Sequence, residues 1–224
     1  MLVTTDNVQK IYKAAGGDLQ VLKGVNISIE SGDVTSLVGP SGAGKSTLLH
    51  IIGGLDKPTQ GGVILDGIKI YELGNTERAR IRNQKIGFVF QFYHLLPEFS
   101  ALENVLLPLY IREQRNRIKQ YQEKARDLLN QVGLSERTHH RPNQMSGGEQ
   151  QRVAIARALI NKPKIVLCDE PTGNLDSESG KEIIDLLFKL NRENNQTILI
   201  VTHDKGVADS CPKKIQLRDG VVQN

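Results

Sequence analysis

Short apolar runs of strand length alternate with segments of helical periodicity along most of the chain. Four of these runs, rich in β-branched or aromatic residues, end in a glycine or a polar residue: VTSLVG, KIGFVFQ, KIVLCDE and TILIVTH. Continuous apolar strands separated by helices are typical of a parallel sheet that is covered on both faces. The pattern therefore predicts an α/β fold built on a mostly parallel sheet.

Two further segments indicate β-structure of another kind. VLKGVNISIE places Val25, Ile27 and Ile29 on one face, as a half-buried strand does. At the other end of the chain, KIQLRDGVVQN has an Asp-Gly pair between two short runs. This pair predicts a β-hairpin.

The segment 92–159 lacks strand patterns and has helical periodicity in SALENVLLPL, IKQYQEKARDLLNQVG and the run that follows SGG. We predict that it forms a helical subdomain inserted into an α/β core. The core then consists of residues 1–91 and 160–224, and residues 1–224 form one domain, which suits the length of the chain.

Composition narrows the class of protein. The net charge of +4 is small, and the basic residues of IREQRNRIKQYQEKAR are interleaved with polar and acidic ones. This favours a solvated helix face over a nucleic-acid interface. Cys168, in an apolar strand, and Cys211 have no metal or redox spacing. Because no apolar run reaches about 18 residues and no signal peptide is evident, we expect a soluble cytosolic protein. From the charge pattern we expect no nucleic-acid partner.

A glycine-rich loop lies between the first of the apolar strands and a helix. Its sequence GPSGAGKS matches the full phosphate-loop pattern in the context that the pattern requires. Backbone N–H groups of such a loop and the N-terminus of the following helix attract phosphate. Lys45 can reach the β- and γ-phosphates, and Ser46 can offer its hydroxyl to Mg²⁺. The predicted ATP-binding residues are Gly39, Pro40, Ser41, Gly42, Ala43, Gly44, Lys45, Ser46 and Thr47.

Polar side chains follow two other apolar runs. Asp169 ends IVLCD, where its carboxylate can help to hold Mg²⁺, and Glu170 comes next. Two adjacent carboxylates suit a magnesium ligand and a group that orients the attacking water. A surface acidic pair at a strand end is the alternative. His203 follows TILIVT, at the edge of a parallel sheet where ligands bind, and we predict that it contacts phosphate.

A second pair of glycines opens the helix in QMSGGEQQRVAIARAL. Glycines at a helix start are costly unless the backbone must approach another group closely. Ser146 with the N–H groups of Gly147 and Gly148 can form an anion site at a helix N-terminus, but no lysine accompanies it. The alternative is a helix cap that carries glycines.

The chain resembles the ATP-binding cassette (ABC) ATPases over essentially its whole length. The family's motifs occur in order as Lys45 and Ser46, Gln91 after GFVF, SGGEQQR at 146–152, LCDEP at 167–171, NLD at 174–176, and His203. Met145 and Glu149 depart from the family's commoner Leu and Gln.

The resemblance implies a P-loop NTPase (RecA-like) core, an N-terminal antiparallel β region and an inserted helical subdomain. It also implies ATP and Mg²⁺ as ligands. In this family two cassettes pair head to tail, so that the signature residues Ser146, Gly147, Gly148 and Glu149 cover the ATP of the partner. The second glycine pair is then half of a site that a second copy of the chain completes.

Further roles are carried over residue by residue. Gln91 is expected to reach Mg²⁺ or the attacking water, and Gln91, Glu170 and His203 are the expected catalytic residues. The expected ligands of Mg²⁺ are Ser46, Gln91 and Asp169. Tyr12 lies where the family has an aromatic residue against adenine, with a core tyrosine as the alternative. Asp176 is expected to sense the opposite site across the dimer.

Finer resemblance favours one branch of the family. GGLDKPTQG, FVFQFYHLLPEFSALENVLLP and DEPTGNLDS resemble the lipoprotein-release, macrolide-efflux and cell-division cassettes, and QFYHLLPE is closest to the lipoprotein-release type. The apolar segment 92–110 is expected to dock an integral membrane subunit, with a plain helical core as the alternative. The chain would then work at the cytoplasmic face of the inner or plasma membrane. A division regulator, a macrolide or peptide efflux ATPase and a free-standing switch stay open.

Overall fold

The computed structural model describes residues 1–13, 17–112 and 120–223. Part of the basic run singled out above, residues 113–119, lies outside the described residues. The predicted α/β architecture is confirmed. Eleven strands form two sheets in this part of the chain, and helices pack around the larger one.

The larger sheet has six strands, in the order β11-β10-β4-β9-β8-β7. All neighbours are parallel except β11, which returns antiparallel to β10. All four apolar runs predicted as strands lie in it. The strands are β4 (Val34–Val38), β7 (Ile86–Phe90), β8 (Ile165–Asp169), β9 (Thr197–Val201), β10 (Lys213–Arg218) and β11 (Val221–Gln223).

Both faces of this sheet are covered, which explains the continuous apolar runs. Successive residues of β9 enter different cores: Ile198 and Ile200 pack on one side, and Leu199 and Val201 on the other. Cys168 is fully buried, in keeping with its place in an apolar strand.

The β10–β11 turn confirms the predicted hairpin. Asp219 and Gly220 have φ angles of 50° and 80°. Positive φ at both central residues is the geometry that a type I′ hairpin turn requires and that Asp-Gly supplies.

The smaller sheet is antiparallel, with the order β2-β1-β5-β6 and β3 also paired with β1. Its strands are β1 (Val3–Tyr12), β2 (Leu19–Val25), β3 (Ser28–Ile29), β5 (Gln60–Leu65) and β6 (Ile68–Lys69). The segment VLKGVNISIE divides into β2 and β3, and Val25, Ile27 and Ile29 are all buried, as their alternation predicted. Asn7 of β1 has φ 46° and its N–H donates to Asn26, and the pairing of β1 with β5 changes register around it, between Asp6 and Gln9.

The described helices are α1 (Lys45–Ile52), α2 (Asn75–Lys85), α3 (Ala101–Arg112), α4 (Gln122–Gln131), α5 (Gly147–Leu159), α6 (Ser177–Asn194) and α7 (Lys205–Ser210). Between β7 and β8 the described residues contain α3, α4, α5 and two 3₁₀ turns. Helix α5 packs against α3 and α4 and also against β7, where a Cβ on Gly87 would lie 2.5 Å from the carbonyl oxygen of Ala158. No described helix has the length and apolar character needed to cross a membrane.

Candidate nucleotide-binding site

The phosphate loop connects β4 to α1. Gly39 has φ 154°, and a Cβ there would lie 2.0 Å from the carbonyl oxygen of Leu217. Gly44 has φ 99°, and its Cβ would lie 2.8 Å from the Leu22 side chain. Sequence reasoning assigned these glycines to phosphate contact; the structure adds that two of them also fit the loop against neighbouring strands.

Lys45 begins α1 and folds back over this loop. Its ammonium group is largely buried and donates hydrogen bonds to the carbonyl oxygens of Gly39 at 2.9 Å and Pro40 at 3.1 Å. A buried ammonium needs such partners, because an unpaired charge is costly to remove from water. The charge is therefore held at the mouth of a loop whose geometry suits an anion.

Ser46 and Asp169 meet at the carboxyl edge of the sheet. The Ser46 hydroxyl donates to Asp169 Oδ1 at 2.9 Å. Burial raises the pKa of Asp169, although the hydrogen bond from Ser46 and the nearby His50 oppose the shift. A hydroxyl and a partly buried carboxylate side by side are hard oxygen ligands, so these residues fit Mg²⁺.

Glu170 and His203 form a second pair at the same edge. His203 Nδ1 lies 2.9 Å from Glu170 Oε1, and the Glu170 N–H donates to the Val201 carbonyl at 3.0 Å. Glu170 has φ 49°, a sparsely populated conformation for a residue that is not glycine. The change of backbone direction lets Asp169 face Ser46 while Glu170 faces His203. Sequence reasoning expected two separate tasks for the adjacent carboxylates.

Gln91, directly after β7, is joined to the NLD loop. Its side-chain nitrogen donates to Asn174 Oδ1 at 3.1 Å, and Asn174 returns a hydrogen bond to the Gln91 carbonyl at 3.0 Å. A Cβ on Gly173 would lie 2.8 Å from the Gln91 amide nitrogen. Asn174 was quoted only as part of a motif, and nothing in the local pattern identified it as the partner of Gln91.

The SGGE residues form the start of α5. The Ser146 hydroxyl accepts from the Glu149 N–H at 3.2 Å, and the Glu149 carboxylate accepts from the Ser146 N–H at 2.8 Å. This reciprocal capping box explains an acidic residue at position 149. The hydrogen bond from Ser146 lowers the pKa of Glu149 despite partial burial, and Arg137 reinforces the effect. Packing also favours glycine at position 147, since a Cβ there would lie 2.8 Å from the Tyr93 hydroxyl.

Asp176 is the N-cap of α6, without the reciprocal bond of a capping box. One of its carboxylate oxygens accepts from the N–H groups of Glu178 and Ser179, and the other accepts from the Ser179 hydroxyl. These bonds, led by that from the Ser179 N–H, lower the pKa of Asp176. Within one chain Asp176 is therefore a helix cap.

Tyr12 ends β1 with its side chain 40% exposed, so the alternative of a core tyrosine was wrong. Its hydroxyl donates to Asp56 Oδ2 at 2.7 Å. Asp56 lies in the loop after α1, so this hydrogen bond joins the end of β1 to that loop.

Two residues near the site were missed in the sequence. His50 has Nε2 3.8 Å from Asp169 Oδ2, and its spacing of four residues from Ser46, which places both on one helix face, was the available signal. Gln151 is fully buried and donates to the carbonyls of Phe90 at 3.3 Å and Pro171 at 2.5 Å. It thus ties α5 to the residues beside Gln91 and Glu170, and no local pattern indicated this.

The segment 92–110 has two distinct faces. Val105, Leu106 and Leu109 of α3 are buried in the core, so the alternative interpretation is right for this face. On the outside, a groove of about 330 Å³ has Phe88, Phe90, His94, Leu107, Pro108, Ile111 and Arg157 among its lining residues. Phe92 and Leu96, 66% and 43% exposed, lie in the same segment.

The phosphate loop, the Ser46–Asp169 and Glu170–His203 pairs and the capped SGGE helix define a P-loop ATPase of the cassette type. A family model described as ABC transporter matches residues 22–173 of the chain. The chain belongs to this family.

Curated relatives and solved structures are similar to this chain over nearly its full length. The lipoprotein-releasing system ATP-binding protein LolD of Legionella pneumophila (strain Lens) is 46% identical over 220 residues, which cover 98% of this chain and 96% of the relative. LolD of Acinetobacter baylyi is 48% identical over 221 residues, with 99% and 96% covered.

Among solved structures, a dimeric form of MJ0796, described as a bacterial ABC transporter cassette, has 47% identity and a TM-score of 0.90, with 99% of this chain and 97% of that chain covered. A dimeric post-hydrolysis state of MJ0796 bound to ADP and Pi has 46% identity and a TM-score of 0.87, with the same coverage. The predicted P-loop NTPase fold is therefore confirmed.

Proposed function

We propose that this chain is the ATP-hydrolysing subunit of an ABC transporter that releases lipoproteins from the membrane, and that it works as an ATP-linked homodimer. The observation that carries the proposal is the meeting of the phosphate loop with the Ser46–Asp169 and Glu170–His203 pairs at one edge of the sheet. Full-length similarity to LolD proteins supports the choice of lipoprotein release.

The proposed chemistry is assigned to residues of this chain. The loop N–H groups and Lys45 bind the phosphates of ATP. Ser46, Gln91 and Asp169 are the proposed ligands of Mg²⁺. When bound, this ion would neutralise charge on the phosphates. Glu170 accepts a hydrogen bond from the attacking water and orients it, and His203 holds the carboxylate in place from its Nδ1.

A second copy of the chain is proposed to complete each site. Ser146, Gly147, Gly148 and Glu149 would face the ATP of the partner, and Asp176 would lie near the junction of the two chains. The dimeric forms of MJ0796 support this arrangement. The backbone N–H groups at the start of α5 and the positive end of its dipole favour an anion there.

The groove beside α3 is the proposed docking site for an integral membrane subunit. Its lining is mostly apolar and includes Ile111, which is 80% exposed. Such a groove fits the apolar face of a helix. Docking there would hold this chain peripherally at the cytoplasmic face of the membrane, with no nucleic acid as partner.

A pull-down from detergent-solubilised membranes tests docking and cargo together. The tagged chain should bring down an integral membrane protein, and Ile111→Asp should lose it while keeping ATP binding. Val221→Asp, at an exposed position of the terminal hairpin, is the matched control and should keep the partner. Membrane vesicles containing the complex should release lipoprotein on addition of ATP. Retention of the partner by Ile111→Asp contradicts the docking site, and a complex that hydrolyses ATP without releasing lipoprotein contradicts the cargo.

A further inference from the structure

A partly buried ion pair lies beneath Tyr12, outside the phosphate loop and the carboxyl edge of the larger sheet. Lys10 is 8% exposed, and its ammonium donates to Asp56 Oδ1 at 2.6 Å and to the Lys57 carbonyl at 2.8 Å. Lys10 and Tyr12 are two residues apart on β1 and therefore share a face of the sheet. Burial of an ammonium is costly unless the group is paired, so the partners of Lys10 are needed to keep it beneath Tyr12.

The ion pair contacts Tyr12 in two ways. The Lys10 ammonium lies 4.6 Å from the centroid of the Tyr12 ring, within the range of a cation–π interaction. The second carboxylate oxygen of Asp56 accepts from the Tyr12 hydroxyl at 2.7 Å. Asp56 therefore binds both side chains at once and sets the position of the ring relative to the ammonium.

The same carboxylate is kept ionised. Burial raises the pKa of Asp56, but the hydrogen bonds from Lys10 and Tyr12 and the charge of Lys10 outweigh it and lower the pKa. For Tyr12, burial and the bond to Asp56 raise the pKa, so the phenol stays a donor. Near neutral pH the Asp56 carboxylate is therefore ionised and the Tyr12 hydroxyl protonated.

The backbone around the network is also fastened to the loop that follows the phosphate-loop helix. The loop after α1 joins the end of β1 through hydrogen bonds from the Ile11 N–H to the Thr59 hydroxyl at 2.9 Å and from the Thr59 N–H to the Gln9 carbonyl at 2.8 Å. These bonds and that from the Tyr12 hydroxyl to Asp56 hold the end of β1, which carries the ring, against the loop after the phosphate-loop helix.

We propose that Lys10 and Asp56 are positioning residues that lock the Tyr12 ring so that its exposed face stacks on the purine base of ATP. The inference rests on the proposed ATP site. Lys10 covers one face of the ring, and the exposed remainder offers a flat apolar surface. Offset stacking on such a surface favours the larger purine over a pyrimidine, because the stacked area is larger.

The test is calorimetric binding of ATP and UTP to the full chain. The unaltered protein should bind ATP more tightly than UTP, and Tyr12→Ala should remove most of that preference. Asp56→Asn has one acceptor oxygen for two donors, so it should weaken ATP binding about three- to tenfold and UTP binding much less. Lys10→Met should act in the same direction, and Lys10→Arg, which keeps charge and donors, should retain more of the preference.

The matched control is Asp66→Asn, which removes the ion pair with Lys85 at a turn of the smaller sheet. It should leave both affinities unchanged. An unchanged ATP-to-UTP ratio in a folded Asp56→Asn protein overturns the inference, as does an equal loss for both nucleotides. Because binding is measured without turnover, failure of the unaltered protein to hydrolyse ATP would count against the proposed function alone.

Discussion

At the residue scale, the change of direction between Asp169 and Glu170 separates the two carboxylates. Glu170 has φ 49°, and such a conformation costs of order 1 kcal/mol or more for a residue other than glycine. The hydrogen bond from its N–H to Val201 and the contact with His203 hold it there. Strain of this kind concentrates at functional sites, which supports the role proposed for Glu170.

Glu170→Gln should abolish turnover while preserving ATP binding. The amide keeps the shape of the side chain but lacks the basic oxygen that orients water, and loss of a general base typically costs roughly 10²-fold or more. With ATP and Mg²⁺ a dimer should accumulate, as measured by size-exclusion chromatography. Glu178→Gln, an exposed acid in the first turn of α6, is the control and should behave as the unaltered protein. A Glu170→Gln protein that stays monomeric and hydrolyses ATP normally would refute the role.

At the element scale, α5 connects the groove, the SGGE residues and the carboxyl edge of the larger sheet. Near its C-terminus Arg157 donates to the carbonyls of Tyr93 at 2.6 Å and His94 at 2.5 Å, and burial lowers the pKa of this arginine to about 10. Tyr93 and His94 both have positive φ. The helix therefore fastens a strained loop between the groove and Gln91.

Close packing of α5 on β7 should make Gly87 intolerant of substitution. In Gly87→Ala the new Cβ would lie 2.5 Å from the Ala158 carbonyl, so helix and strand must separate. We expect a loss of about 1–3 kcal/mol in the free energy of unfolding, as overpacking typically costs. Urea unfolding measures it. Gly62→Ala, at a β5 position with open space and no positive φ, should change stability little. Equal stability of the two variants would contradict this account of the packing.

At the scale of the whole molecule, the question is which chain each glycine loop serves. Within one chain, Ser146 caps its own helix, and Lys45 bonds to its own loop. If a second chain completes each site, a lesion on the phosphate-loop side of one chain and a lesion in the SGG loop of the other chain fall in the same composite site. The other composite site of the mixed dimer then has both loops intact.

Mixing His203→Ala with Ser146→Arg should therefore restore ATPase activity. Each homodimer carries two damaged sites and should be nearly inactive, whereas the mixed dimer has one site without a lesion. Activity above the sum of the separate preparations is the expected result, with differential tags used to verify that mixed dimers form. Mixed dimers that form without any rescue would count against independent sites shared between chains.

The sequence by itself determined the class of fold and the chemistry of the phosphate loop. Four apolar runs indicated four of the five parallel strands, Asp-Gly indicated the hairpin, and the spacing within GPSGAGKS was enough to predict phosphate binding because all its groups are local. Only the tertiary structure decided which distant groups meet. Gln151 reaches Phe90 across 61 positions, and Tyr12 reaches Asp56 across 44. Periodicity determines the face on which a residue lies, but the partner on that face depends on how the elements pack.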